Sequence, residues 1–304
     1  MSLASRLQIA APAKINLSLR VRGKTSDGYH ALESLVGFAD IGDRLSLKSS
    51  AASSRLTLRG TFADLLQEVD AEDAKDNLIL RALAALEKAS GRALGSQLVL
   101  EKNLPIAAGL GGGSADAAAA LRALIELHGL EISDMHLAEI ALSLGADVPV
   151  CLASAPAWMT GIGETLAYLP NFPATETVLV NPHVAMPTAA VFSALHASPN
   201  LRPAQPVPEA WQDLDGLVAF LIQQGNDLQG VAISLAPEIG DCLSALQQAG
   251  AKYAAMSGSG ASCFALCEIG EGAKVAAAYQ AARAKDWVQA GRLIGAGDTK
   301  INQA

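Results

Sequence analysis

Polar and apolar positions alternate from Lys14 to Val21. Ile15, Leu17, Leu19 and Val21 fall on one face and Lys14 and Asn16 on the other, the period of a half-buried strand. A polar loop, Arg22 to His30, follows with a turn signal at Asp27-Gly28, and shorter alternating runs lie at Leu32–Phe38, Arg44–Lys48 and Arg55–Arg59. The period then changes. Leu78, Ala82, Leu83 and Leu86 space out a helix over Asn77–Ser90, with Asp76 as N-cap and Gly91 as its stop. A strand at Gln97–Glu101 runs toward a cluster of glycines, and helices are expected at Ala115–His128 and Ser133–Leu144, the latter capped by Ser133. Gly145-Ala146-Asp147-Val148-Pro149 is a tight connection into a strand expected at Val150–Ala153.

Beyond Leu169 the pattern predicts a strand at Thr177–Asn181 and a helix at Thr188–His196. A proline-rich surface loop follows between Ser198 and Glu209, then helices at Leu214–Gln224 and Pro237–Ala249. Ala254–Leu266 reads as strand, glycine turn and strand, before a helix at Gly272–Arg283 and a last strand near Gly291–Gly295. The alternation is α+β, and 304 residues exceed one small core, so two lobes are expected, dividing near residues 160–175.

Composition narrows the function classes. The chain is 51% hydrophobic and 17% charged, enough apolar material for a large interior. A net charge of −8 argues against a nucleic-acid surface, though not against a local phosphate site. Cys151, Cys242, Cys263 and Cys267 form no CxxC pair, which fits neither zinc nor a disulfide framework and suits a reducing compartment. His128, His136, His183 and His196 have no metal-ligand spacing, so no metal-binding cluster is expected. The opening MSLASRLQIA lacks a signal-peptide core, and the apolar run from Val148 to Met159 is too short to span a bilayer. A soluble cytoplasmic protein is the expectation.

The stretch that carries chemistry is Pro105–Leu121, PIAAGLGGGSADAAAAL, with Gly109, Gly111, Gly112 and Gly113 inside five positions before an alanine-rich helix. Glycines that bring a ligand to the backbone, followed by the unpaired N–H groups of a helix start, make a phosphate cradle. It is not a Walker A loop, since no lysine follows the glycines. Ser114 stands where a dinucleotide fingerprint needs its third glycine, and the partner motifs of a protein-kinase loop are missing.

Three ordered motifs, Ala11-Pro12-Ala13-Lys14-Ile15-Asn16-Leu17, the Pro105–Leu121 stretch and MSGSGASCFAL from Met256, resemble those of the GHMP kinases, the family of galactokinase and of homoserine, mevalonate and phosphomevalonate kinases. DGYHALES, LGADVPVCL, Asp76-Asn77-Leu78, Pro187-Thr188 with Phe192, and Asn226-Asp227-Leu228 are most similar to the members that act on a cytidine-diphosphate sugar alcohol. Cys151, where an aromatic is common, and Val184-Ala185-Met186 depart from that pattern.

The resemblance implies an N-terminal ATP-binding lobe over residues 1–165, like the second domain of ribosomal protein S5, and a ferredoxin-like C-terminal lobe over 166–304. It implies ATP-dependent phosphorylation of a substrate hydroxyl with Mg²⁺. A sibling kinase of the homoserine or mevalonate type is the alternative, and a non-catalytic sensor would be expected to have lost Lys14 or Asp147. Asp147 would be the catalytic base, with Lys14 paired to it and offsetting phosphoryl charge. Pro105, Ala107, Ala108, Gly109, Leu110, Gly111, Gly112, Gly113 and Ser114, with Asn77, would hold the nucleotide; Ser114 would reach Mg²⁺ or a phosphate, and Asp116 is an early-helix acid. Asn16, Tyr29, His30, Thr188 and Phe192 would contact the substrate, with Tyr29 and His30 at the cytosine and Phe192 on its other side or in the core. The Ser257–Gly260 turn would brace the phosphate loop, and Cys263 and Cys267 would be buried strand residues.

Overall fold

The computed structural model describes residues 6–24, 30–65, 77–169, 173–195, 206–295 and 302–303. Its first sheet is built around one long strand. The chain enters as β1 (Leu7–Asn16), continues in the same direction through β2 (Arg20–Lys24), and then runs back for 20 residues as β3 (His30–Ser49), antiparallel to both. β3 therefore joins the two alternating runs expected separately at Leu32–Phe38 and Arg44–Lys48. The expected single strand over Lys14–Val21 is instead broken at Leu17–Leu19. There the ladder is interrupted: the Leu17 and Ser18 N–H groups both reach the Leu35 carbonyl of β3, while Leu19 donates to the Gly225 carbonyl and receives the Asp227 N–H.

β4 (Arg55–Arg59), the helix α1 (Leu78–Ser90) and β5 (Ser96–Glu101) follow. Asp76 lies outside the described residues, and Asn77 is the N-cap of α1, its side chain accepting the Ile79 N–H at 2.9 Å. Helices α2 (Gly112–His128), α3 (Asp134–Leu144) and α4 (Val148–Ala153) come next. The strand expected at Val150–Ala153 is thus a helix. Valine-rich sequence reads as β, but Pro149 lies in the first turn of α4, where its missing N–H costs nothing and its fixed φ suits a helix. β6 (Ala157–Gly161) and β7 (Thr165–Tyr168) form a hairpin that the apolar pattern did not separate from its surroundings.

β3 pairs antiparallel with β1, β2, β5 and β6, so most of the eight-stranded sheet hangs on it. α2 packs on this sheet with Ala115, Ala117–Ala120, Leu121, Ala123 and Leu124 all buried. The small side chains let the helix axis lie close to β1 and β3, which places its first turn above Lys14.

The second sheet contains β8 (Glu176–Asn181), β9 (Tyr253–Met256), β10 (Cys263–Cys267) and β11 (Trp287–Arg292), antiparallel in the order β11-β8-β10-β9. Between β8 and β9 come α5 (Thr188–Ala194), α6 (Leu214–Gln224), α7 (Gln229–Leu235) and α8 (Glu238–Gln248), and α9 (Gly272–Ala282) joins β10 to β11. This βαββαβ order is the ferredoxin-like arrangement expected. α7 was not expected from the periodicity, and the proline-rich stretch falls mostly outside the described residues. Cys263 and Cys267 are buried in β10, as read from the sequence. A last short strand, β12 (Asn302–Gln303), returns to the first sheet and pairs with β1.

Candidate active site

The glycine loop and the end of β1 meet over a cavity of about 660 Å³. Two of its glycines are required by geometry. Gly111 has φ +61°, and a Cβ there would come within 2.9 Å of the Lys14 Cβ, so the bare backbone lets the lysine stem lie against the loop. Gly109 has φ +76°, and a Cβ would collide with the Ser257 carbonyl oxygen. The Lys14 N–H donates to the Leu110 carbonyl at 2.9 Å, tying β1 to the loop. The Leu110 side chain is buried and does not line the cavity, unlike the other loop residues expected to hold nucleotide.

α2 opens at Gly111 with no side-chain cap, whereas Asn77, Ser133 and Asp213 close the starts of α1, α3 and α6. The amides of Gly112, Gly113 and Ser114 at the positive end of this 17-residue helix line the cavity. Unpaired amides at the positive end of a helix favour an anion.

Lys14 Nζ lies 2.6 Å from Asp147 Oδ1, the lysine buried and the aspartate side chain 35% exposed to the cavity. Asp147 occupies the N-cap position of α4 but makes no capping bond, because its carboxylate is turned to Lys14. Asn16 sits beside them: Nδ2 donates to Ser34 Oγ at 2.8 Å, while its backbone N–H donates to Ser257 Oγ. Ser257 in turn donates to the Gly109 carbonyl at 2.8 Å. The glycine turn after β9 therefore braces both the loop and β1. Asn226 holds that turn from below, its Nδ2 donating to the carbonyls of Met256 and Gly258 at 2.9 Å each.

Thr188 and Phe192 line the same cavity, with Thr188 Oγ1 2.9 Å from Ser259 Oγ. His30, at the start of β3, stacks on Phe192 with ring centroids 4.6 Å apart. The two rings touch, so a base cannot lie between them as arranged; His30 borders the cavity through Phe192. Burial and then the charge of Lys24 lower the His30 pKa from its ordinary value. Tyr29 lies outside the described residues. Asn77 lines the cavity besides capping α1.

Sequence reasoning missed an ion cluster beneath the loop. Lys102 Nζ bonds the Asp43 carboxylate and, at 2.8 Å, Asp116 Oδ2, all three side chains nearly or fully buried. Asp43 Oδ1 also accepts the N–H groups of Asn103 and Leu104, so one carboxylate orients the chain entering the loop. Burial raises the Asp116 pKa to about 7, against the pull of Lys102 and with a push from Asp43. Burial pulls Lys102 down, but the two carboxylates outweigh it and its pKa is raised. The lysine before Leu104-Pro105 was a visible signal; Asp43, far away in sequence, gave none. Among the described residues no group of three His, Cys, Asp or Glu side chains could hold a metal, and no helix is long and apolar enough to cross a membrane.

Comparison with known proteins agrees with this geometry. The GHMP kinases N terminal domain matches residues 77–155 and the GHMP kinases C terminal domain matches 213–286. The chain is 50% identical over 283 residues to a 4-diphosphocytidyl-2-C-methyl-D-erythritol kinase of Parvibaculum lavamentivorans, covering 92% of this chain and 96% of that protein. A crystal structure of 4-(cytidine 5'-diphospho)-2C-methyl-D-erythritol kinase aligns with TM-score 0.74 and 34% identity, covering 95% of this chain and 99% of that one. Homoserine kinase from Cytophaga hutchinsonii aligns with TM-score 0.70 at 21% identity, over 99% of both chains, a likeness of fold alone. With the loop, the β1 motif and the bracing turn assembled around one cavity, and both halves of the family pattern matched, the chain belongs to the GHMP kinase family.

Proposed function

We propose that the protein transfers the γ-phosphoryl group of ATP to the 2-hydroxyl of 4-diphosphocytidyl-2-C-methyl-D-erythritol, a step in the non-mevalonate route to isoprenoid precursors. The observation that carries the phosphoryl-transfer reading is the uncapped start of α2 and the Lys14–Asp147 pair facing the same cavity. The acceptor is inferred from the relatives that share the chain's motifs.

The β- and γ-phosphates would rest on the amides of Gly112, Gly113 and Ser114, with Pro105–Gly111 and Asn77 walling the nucleotide. Asp147 would accept the proton of the substrate hydroxyl, and Lys14 would offset charge on the transferring group. Asn16, Thr188, Phe192, His30 and Tyr29 would position the acceptor and its cytosine. The donor set fits a magnesium ion carried on the nucleotide: Mg²⁺ binds largely through phosphates and water, and the cavity wall offers the Ser114 hydroxyl with no ready-made carboxylate cage among the described residues. When bound it would neutralise phosphate charge. The lobes would divide as 1–165 and 166–304, near the passage from the first sheet to the second, with the end of β7 and β12 reaching back to the first sheet, and the enzyme would work in the cytoplasm on small molecules.

³¹P NMR of the protein with ATP, Mg²⁺ and 4-diphosphocytidyl-2-C-methyl-D-erythritol tests the proposal. ADP and a new phosphomonoester resonance are expected. Turnover of homoserine or mevalonate, with none of the cytidine substrate, would replace it with a sibling activity.

A further inference from the structure

Asp43 is a wall shared by two spaces. Through Lys102 it borders the nucleotide cavity, and it also lines a second cavity of about 450 Å³ that contains none of the loop, substrate or bracing residues. Arg44, Arg122 and Arg292, from β3, α2 and β11, converge on this second space, and Ile9, Leu293 and Ile294 supply an apolar side.

The charge there is only partly answered from within. Among the described residues no carboxylate lies within ion-pair distance of the three guanidinium groups, and Glu176, opposite Arg292 in the β8–β11 register, feels that charge without forming an ion pair. Asp43 is committed to Lys102 and two backbone amides, and Asp40 Oδ1 accepts the Arg292 N–H at 2.7 Å. Arg122 is the telling member. Its Nε is buried without a hydrogen-bond partner, and its Nη2 reaches only the Ala10 carbonyl, at 3.4 Å. Burial lowers its pKa from the ordinary value, a sign of a charge short of solvation. A buried donor left unpaired costs free energy that an anionic acceptor would recover, and guanidinium groups hold phosphate oxygens with two parallel bonds. In a chain of net charge −8, three arginines around one half-apolar hollow are a local reversal of sign.

We propose that this second cavity is an anion site for a phosphate group, with Arg122 at its floor, Arg44 and Arg292 at its rim, and room for a compact aliphatic body against Ile9 and Ile294. Isothermal titration of the full chain, with the nucleotide cavity filled by a non-hydrolysable ATP analogue, tests it with two probes, inorganic phosphate and n-butyl phosphate. Saturable binding is expected, weakened at least tenfold in Arg122→Gln and in the double variant Arg44→Gln with Arg292→Gln, whose exposed positions do not threaten folding. Tighter binding of butyl phosphate would mark an organic phosphate as the ligand, and equal binding the free ion. No binding to the wild type, or binding unchanged in the double variant, would overturn the site.

Discussion

The backbone N–H of Asn16 donates to the hydroxyl of Ser257 at 3.1 Å, across 241 residues of sequence. The same hydroxyl donates to Gly109, so one serine links the first motif, the phosphate loop and the turn after β9. Ser257→Ala would leave a buried donor and a buried acceptor unpaired, at about 1–3 kcal/mol for such a group. Lower thermal stability and a several-fold rise in KM for ATP are expected, measured by thermal unfolding and steady-state kinetics.

Asp147→Asn keeps the shape of the site and removes the proposed proton acceptor. A loss in kcat on the order of 10²–10⁴-fold is expected with ATP affinity retained, since general-base catalysis is worth that much. Coupled ADP release and nucleotide titration would separate the two; near wild-type kcat would remove Asp147 from the base role.

Gly111→Ala forces a side chain into φ +61° and against the stem of Lys14. The strain alone costs roughly 1 kcal/mol or more. Because the displaced neighbour is Lys14, kcat should fall along with ATP affinity, whereas a cost in stability alone would show only in unfolding.

The buried Asp116 gives the fold a pH dependence of definite sign. Its pKa in the folded chain is raised to about 7, above the ordinary 3.8, so between those values the folded form holds a proton that the unfolded chain releases. This group therefore costs stability as pH rises from about 4 to 7. Asp116→Asn should flatten the fall in melting temperature across that window, and an unchanged slope would assign the dependence elsewhere.

What the sequence revealed followed local rules. Glycine spacing before an alanine-rich helix located the loop that lines the cavity, whereas alternation over Lys14–Val21 reached only the end of β1, and Lys14 and Asn16, read as the face away from the core, proved buried. Period and propensity misread α4, where Pro149 signals a helix start amid strand-forming valines. The Asp43–Lys102–Asp116 cluster was hidden for a different reason: its members come together only when β3, the loop entrance and α2 pack, and no local pattern records that meeting. The His30–Phe192 stack is hidden in the same way, as two rings brought from β3 and α5.

β3 pairs with β2 and β6 along its first half and with β5 along its second, and β1 bridges the middle. His30 and Ser34 belong to the first half and Asp43 to the second. The contacts proposed for the acceptor and the support proposed for the nucleotide thus hang on opposite ends of a single strand. Such a strand is divisible in evolution: exchanges near its start can retune which alcohol is accepted while the machinery that handles ATP is inherited unchanged.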